Sequence, residues 1–531
     1  MTPEERLCAE ARDAPVPTGA GGAERRRLSV FRILALIGVI VVVAGLVVVT
    51  RGGPTPALVA RHHGFAPYVD VTATPTYAFE DAGSGPADAV LAFVVSSKET
   101  ACDPSWGGAY SLDEAADQLD LDRRVARLDQ VGGRVTVSFG GAANSELAIG
   151  CTDVAELAAA YRSVVERYSL DTIDLDIEGA EASAPAVVER RARAIAAVVA
   201  SERSAGRHLD VWLTLPVAPS GLTAEGLAVV QDTLAAGLEP AGVNAMVMDY
   251  GVPIPAGDTM GDLAEQALTA LQAQVQRAYG AAGTSLSDDE AWQRVGATPM
   301  IGQNDVQGEV FDLDDARQLL AFARSHQLRQ IAMWSANRDQ SCGPNYPDVQ
   351  VVSDQCSGVN QSTGAFASVL GRFASKAKPG AAIATAAPTA TPLPGGPVPT
   401  EVRESDDPAT SPYQIWNAIQ GYPAKTKVVW NHNVYVAKWY STGERPDTPV
   451  AEAYLTPWSL VGPVMPGEHP VPTPTLPAGT YPEWRAGRIY QGGDRVLRHG
   501  IGYQAKWWTQ GDQPDAHVAT PYDSPWMLLE D

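Results

Sequence analysis

The densest chemistry in the chain lies in nine residues, Asp171-Thr172-Ile173-Asp174-Leu175-Asp176-Ile177-Glu178-Gly179. Side chains of an extended strand alternate between faces, so Asp174, Asp176 and Glu178 share one face and Ile173, Leu175 and Ile177 the other. A carboxylate taken out of water without a partner is costly. Three neighbouring ones cannot all stay ionised, so a proton is shared and at least one pKa is driven upward. A carboxylic acid kept protonated near neutral pH is a general acid. A lone acidic residue in a strand usually marks a solvated edge, but three in register on an apolar strand followed by glycine do not read that way.

Such a strand needs a frame around it. Between about residues 66 and 372, short apolar runs alternate with helical stretches, the pattern of a parallel sheet or barrel. Eight strands are expected, at 68–73, 89–95, 134–139, 172–177, 210–215, 245–248, 298–302 and 330–334. Eight βα units of this length predict an α/β fold, a (β/α)8 TIM barrel, whose active site lies at the C-terminal ends of its strands. Polar and aromatic residues just after strands then become candidates. Trp106 follows strand two and reads equally well as an outer subsite or a loop anchor, and Gln303, Asn304 and Asp305 follow strand seven.

The C-terminal region is built differently. Residues 379–412 contain eight prolines and residues 461–482 contain seven, so both read as extended linkers. Eight of the twelve tryptophans lie between Trp416 and Trp526. An offset of 68 positions pairs Trp416 with Trp484, Tyr422 with Tyr490, Ala437-Lys438-Trp439-Tyr440 with Ala505-Lys506-Trp507-Trp508, and Pro457-Trp458 with Pro525-Trp526. This is a tandem duplication of a module of about 45 to 50 residues, too small for a large core and expected to be a few strands around aromatics. Trp416, Trp458, Trp484 and Trp526 read as that core. Adjacent aromatics on a strand point to opposite faces, so one of each Trp-aromatic pair should be exposed, and flat aromatics suit the apolar faces of pyranose rings.

The carboxylate run matches the D-x-x-D-x-D-x-E signature of glycoside hydrolase family 18, the chitinases and related endo-N-acetylglucosaminidases, and residues 66–372 resemble that family. Ser138-Phe139-Gly140-Gly141 and Met246-Val247-Met248-Asp249-Tyr250-Gly251 resemble two further motifs, and Tyr68-Val69-Asp70-Val71-Thr72 resembles the abbreviated bacterial and archaeal subgroup. The resemblance implies a retaining, substrate-assisted endo-hydrolysis of β-1,4 N-acetylglucosamine linkages in chitin. It implies Glu178 as the acid, Asp176 orienting the substrate acetamide, Asp174 sharing its charge, and Tyr250 hydrogen-bonding the acetamide oxygen. Asp249 and Met248 would line the cleavage subsite and Trp334 its aromatic floor, while Ser138 and Asp171 read as structural. Both C-terminal copies resemble carbohydrate-binding modules of families 5 and 12, which implies binding of chitin through exposed aromatics, here Tyr440, Trp507 and Trp508. The first copy has Trp430 where the second has Arg498, so equal affinities are not expected. The alternatives are an endo-β-N-acetylglucosaminidase acting on other N-acetylglucosamine glycans, and a non-catalytic chitin-binding lectin-like protein. Relatives that bind without cutting usually lack the acid that is present as Glu178.

The remaining features bear on surroundings. Of 531 residues, 45% are hydrophobic and 19% charged, which excludes wholesale disorder. A net charge of −23 repels phosphate backbones, so no nucleic-acid partner is expected, and no obligate protein partner is indicated. Residues 33–49 are uninterrupted by polar groups and are preceded by Arg25, Arg26, Arg27 and Arg32, the pattern of a single-pass type II signal anchor, with secretion after cleavage as the alternative. Cys8 then falls on the cytoplasmic side, and Cys102, Cys151, Cys342 and Cys356 suggest two disulfides. Three pairings are open. Cys102 with Cys151 and Cys342 with Cys356 are favoured, because each would staple neighbouring loops of the barrel. No metal-ligand spacing and no cofactor motif is present. The expected organisation is 1–32 cytoplasmic segment, 33–50 transmembrane helix, 66–372 catalytic barrel, 373–412 linker, 413–462 first module, 463–480 linker and 481–531 second module.

Overall fold

Helix starts along the middle of the chain are written in short polar residues. Ser111, Thr259, Ser287 and Asp312 each accept from the backbone N–H three residues on, and the acid at that position returns a bond, completing capping boxes. The strands between these helices are almost wholly buried, as in Asp210–Ala218 and Thr172–Asp176, and parallel pairing with helices outside follows from that. In the computed structural model, which describes residues 64–81, 88–344, 346, 348–373, 406–450, 453–470, 475–516 and 524–529, these strands close into a barrel.

The first barrel strand is split into Gly64–Phe65 and Tyr68–Asp70. Asp88–Ser96, Arg134–Gly140, Thr172–Asp176, Asp210–Ala218, Gly242–Met246, Val295–Thr298 and Gln330–Ile331 follow in order. Every neighbouring pair is parallel, and the two pieces of the first strand close the ring by pairing with the eighth and second strands. Strands six and seven begin three residues earlier than the sequence pattern indicates. Gly242 and Asn244 interrupt the apolar signal of strand six although both are buried. Met300 and Ile301 continue the apolar signal of strand seven beyond its ladder, where the Ile301 N–H bonds to the Trp334 carbonyl (3.0 Å). Apolar pattern reports burial, not ladder pairing.

Two small β units follow, with three-stranded antiparallel sheets Lys427–Trp430, Asn433–Ala437, Trp458–Pro463 and Arg495–Arg498, Ile501–Ala505, Trp526–Leu528. Their cores are Tyr422, Val428, Tyr435, Ala437, Trp458 and, 68 residues on, Tyr490, Val496, Tyr503, Ala505, Trp526. Trp416 and Trp484 only flank these cores, half-buried. All described residues belong to one compact unit of the chain. Disulfides join Cys102 to Cys151 and Cys342 to Cys356, the favoured pairing.

The expected single-pass membrane protein is corrected here. No helix among the described residues is long and apolar enough to cross a membrane. The 33–49 run that prompted the expectation lies outside the described residues.

Candidate active site

Strand four enters the barrel between strands three and five, with Ser138 and Trp212 opposite Asp174 and with Gly140 and Thr214 opposite Asp176. Asp174 is 3% exposed and receives three hydroxyl hydrogen bonds, from Tyr68 (2.8 Å) and Ser138 (2.7 Å) on Oδ2 and from Thr214 (2.6 Å) on Oδ1. Asn244 donates in turn to Thr214 (3.0 Å) and Thr298 (2.7 Å), so a polar belt runs from the first strand to the seventh. Ser138, read from sequence as structural, therefore touches a carboxylate directly.

Asp176 is equally buried, at 4%, but its Oδ1 has no hydrogen-bond partner. Burial, then the charges of Glu178 and Asp174, push its carboxyl well above the ordinary range. Asp174 is raised by burial too, but its three hydroxyl donors oppose the shift. The three O–H donors favour the ionised form of Asp174, and Asp176 has no such donor, so Asp176 holds a proton the more tightly of the two. Glu178 lies two residues beyond the strand's end and is half-buried, in extended backbone ahead of the short helix Gly179–Ala182. Burial first, then Asp249 and Asp305, raise its carboxyl to about 7.

Gly140 explains part of the motif that precedes this strand. At φ +105° it lies against strand four so closely that a Cβ would meet the Asp176 carbonyl at 2.1 Å, and the next N–H, of Gly141, bonds to that carbonyl (3.0 Å). Any side chain there would push the carboxylate strand away.

Asp249 and Tyr250 sit on the loop after strand six, clasped by the hairpin that follows strand seven. Glu309 accepts the N–H groups of Tyr250 and Gly251 (both 2.9 Å), Asp249 accepts the Val306 N–H (3.0 Å), and Asn304 accepts the Asp249 N–H (3.3 Å). The Tyr250 hydroxyl is buried without a partner, and burial, then Glu309, raises it so that it stays protonated. Met248, beside it, is 7% exposed. Trp334, half-buried after strand eight, stacks on Phe93 (5.3 Å between centroids, 21° between planes) and leans on Tyr68 (6.1 Å).

Other candidates are placed elsewhere. Trp106 is fully buried in the barrel's main core and donates its indole N–H to Tyr168 (3.1 Å), which corrects its reading as an outer sugar subsite. Its strand, Pro104–Trp106, pairs antiparallel with Asp88–Ser96, and the ring packs as a loop anchor. Gln303 is half-buried, with its N–H on the Ser357 carbonyl (2.7 Å) and its carbonyl held by the buried Arg338. Asn304 is 4% exposed and spends its amide on the Met300 and Gly302 carbonyls.

In the β units the Trp-aromatic pairs fall after the strand, on a bend, where alternation of faces does not apply. Trp507 and Trp508 are therefore both exposed, at 47% and 55%, and in the first unit Trp439 is exposed and Tyr440 half-buried. Lys438 and Lys506 lie over the Trp439 and Trp507 rings (5.0 and 4.6 Å). Trp430 packs edge-on against Trp416 (5.0 Å), while its counterpart Arg498 lies over Trp484 (4.7 Å), so each covers the same indole by different means. Phe93 and Thr214 belong to none of the sequence motifs, and Tyr68 and Trp439 appear only within a motif and a repeat, without a site role. Thr214 follows from the period-two logic applied to Asp174, as a polar residue at an inward position of an apolar strand.

Residues 483–527 match the family model of carbohydrate-binding module family 5/12. The chain is 38% identical over 299 residues to a probable bifunctional chitinase/lysozyme of Escherichia coli (strain K12), covering 55% of this chain and 32% of that protein. It is 37% identical over 294 residues to Endochitinase 11 of Metarhizium anisopliae, covering 54% of each. The chain thus spans about a third and about half of the lengths of these curated relatives. Among solved structures it resembles the catalytic domain of a hyperthermophilic chitinase from Pyrococcus furiosus, with 29% identity, a TM-score of 0.50, and coverage of 58% of this chain and 94% of that one.

Proposed function

We propose that this chain, which carries a carbohydrate-binding module of family 5/12 at residues 483–527, is a glycoside hydrolase of family 18, a chitinase that cuts β-1,4 N-acetylglucosamine linkages internally with retention. Residues 66–372 would be the catalytic domain, with binding modules at 413–462 and 481–531 and proline-rich connections before each. The observation that carries the mechanism is the pair of buried, unpartnered atoms at the barrel mouth, Asp176 Oδ1 and the Tyr250 hydroxyl. Buried polar atoms are normally satisfied, so a pair left open beside a half-buried acid marks the place of a polar ligand group.

An N-acetylglucosamine unit meets both needs with its own acetamide. Its N–H faces Asp176 and its carbonyl oxygen accepts from Tyr250, which aims that oxygen at the anomeric carbon. Glu178, protonated up to about pH 7, gives its proton to the glycosidic oxygen. The C1–O bond breaks as the acetamide oxygen bonds to C1, making a cyclic oxazolinium ion. Water then attacks C1 as the bond from C1 to the acetamide oxygen breaks and the acetamide is regenerated, and the water loses a proton to the Glu178 carboxylate, restoring the acid and the original anomeric configuration. Asp174, favoured in its ionised form by three hydroxyls, stabilises the proton on Asp176 and the positive charge above it. Trp334 on Phe93 would form the floor beneath the sugar.

The test is product analysis on colloidal chitin and defined N-acetylglucosamine oligomers, beside Glu178→Gln. The reading requires short β-anomeric products from the parent and none from the variant. Binding by both without cleavage by either would leave only a lectin.

A further inference from the structure

The first β unit makes contacts that its duplicate cannot copy. Asp120, at the N-terminus of the barrel helix Leu121–Gln130, makes no capping hydrogen bond. Its carboxylate is taken instead by Lys427 of the first unit, with Nζ 2.6 and 2.8 Å from the two oxygens. Along the same helix Arg123, 6% exposed, pairs with Glu468 and donates to the Pro463 carbonyl. Gly462 lies so close to the helix that a Cβ would meet the Arg123 carbonyl at 2.6 Å. Met465 lines a hollow together with Asp122, Val125, Ala126 and Asp129 of this helix.

The second unit lacks the groups that make these contacts. Lys427 lies over Tyr413, and its counterpart Arg495 lies over Tyr481, the counterpart of Tyr413. Arg495 is exposed and turns to its own unit, donating to Gln504 (3.1 Å) and Tyr481 (3.2 Å). Glu530 stands where the first unit has Gly462. Complementary charges paired across a close contact with a helix fix the register and orientation of the two surfaces.

We propose that the first module is a fixed part of the catalytic unit, docked on the barrel helix Leu121–Gln130 through Asp120–Lys427 and, from the connecting segment directly after the module, Arg123–Glu468, and holds chitin at Trp439 at a set distance from the barrel mouth. Its role on chitin rests on the function proposed above; the docking does not. A fixed module raises the local concentration of substrate at one position instead of over a tether's whole range.

The test uses the full chain and brief acylation of lysines, read by mass spectrometry, with the exposed Lys425 of the same module as internal reference. Lys427 should be acylated several-fold more slowly than Lys425 in the parent, and the two rates should converge in Gly462→Arg. Asp120→Ala, which leaves the module's own sequence untouched, should do the same. Equal rates in the parent, or a ratio indifferent to Asp120→Ala, overturns the docking. Both variants should lose several-fold activity on insoluble chitin and keep the parent's rate on soluble oligomers. An unchanged rate on insoluble chitin overturns the role assigned to the docked module. A parent that cuts no oligomer removes the chitinase reading while leaving the lysine result standing.

Discussion

At the barrel mouth Asp174 and Asp176 are 3% and 4% exposed inside a ring of hydroxyls drawn from several strands, whereas in the second β unit Trp507 and Trp508 are 47% and 55% exposed on a bend. The first arrangement needs a low-dielectric enclosure, because only there does a neighbouring carboxylate move a proton. The second needs no enclosure, since a flat apolar ring face binds by area and shape alone. The two regions should therefore fail in different ways.

The largest separation is expected from Glu178→Gln. Loss of the proton donor should lower turnover on soluble oligomers by about 10²- to 10⁴-fold, with retention on chitin unchanged in a pull-down. Loss of retention as well would mean that the two regions are not independent. Tyr250→Phe removes one hydroxyl and should cost about 10- to 10³-fold in turnover, again without effect on retention. Trp526→Ala works from the other side. It removes the largest ring of the second unit's core and should cost about 3–5 kcal/mol there, unfolding that unit while the barrel's own thermal transition stays in place. Trp507→Ala or Trp508→Ala, on a surface that needs no repacking, should weaken retention about tenfold, or about 1.4 kcal/mol, with oligomer cleavage at the parent's rate.

The smallest expected effect is on pH. The Glu178 carboxyl is raised chiefly by burial and next by Asp249, so activity should fall as pH rises through about 7. Asp249→Asn should move that limb to lower pH by a fraction of a unit, read from the pH profile. The sign for stability is the same. A carboxyl that holds its proton more tightly folded than unfolded contributes stability present below the ordinary carboxylate range and lost as pH rises through about 7. A limb indifferent to Asp249→Asn would leave burial and Asp305 as the causes of the shift.

Legibility from sequence followed how locally each feature is determined. The period-two run at 172–178, the strand count and the 68-residue duplication are properties of nearby residues or of self-similarity, and eight barrel strands and two like β units are present, with strands six and seven displaced by three residues. Trp106 was ambiguous because a tryptophan between Pro104 and Gly107 looks the same whether its ring meets solvent or a helix; here it meets Tyr168. Period-two alternation alone expects only one of Trp507 and Trp508 to be exposed; both are, as the resemblance to binding modules implies, because the chain bends there.

What the sequence determined by itself was therefore the kind of chemistry, three carboxylates on one face of a buried strand, and the existence of two like modules at the C-terminal end. Only the tertiary structure decided which carboxylate carries the forced proton, because Tyr68, Ser138 and Thr214 converge on Asp174 from 106, 36 and 40 residues away and leave Asp176 Oδ1 bare. It likewise decided that one of two like modules lies against the barrel, because Asp120 and Lys427 are 307 residues apart and meet only when both folds are complete. Periodicity is set by neighbours along the chain, whereas pairing of charges and donors is set by neighbours in space.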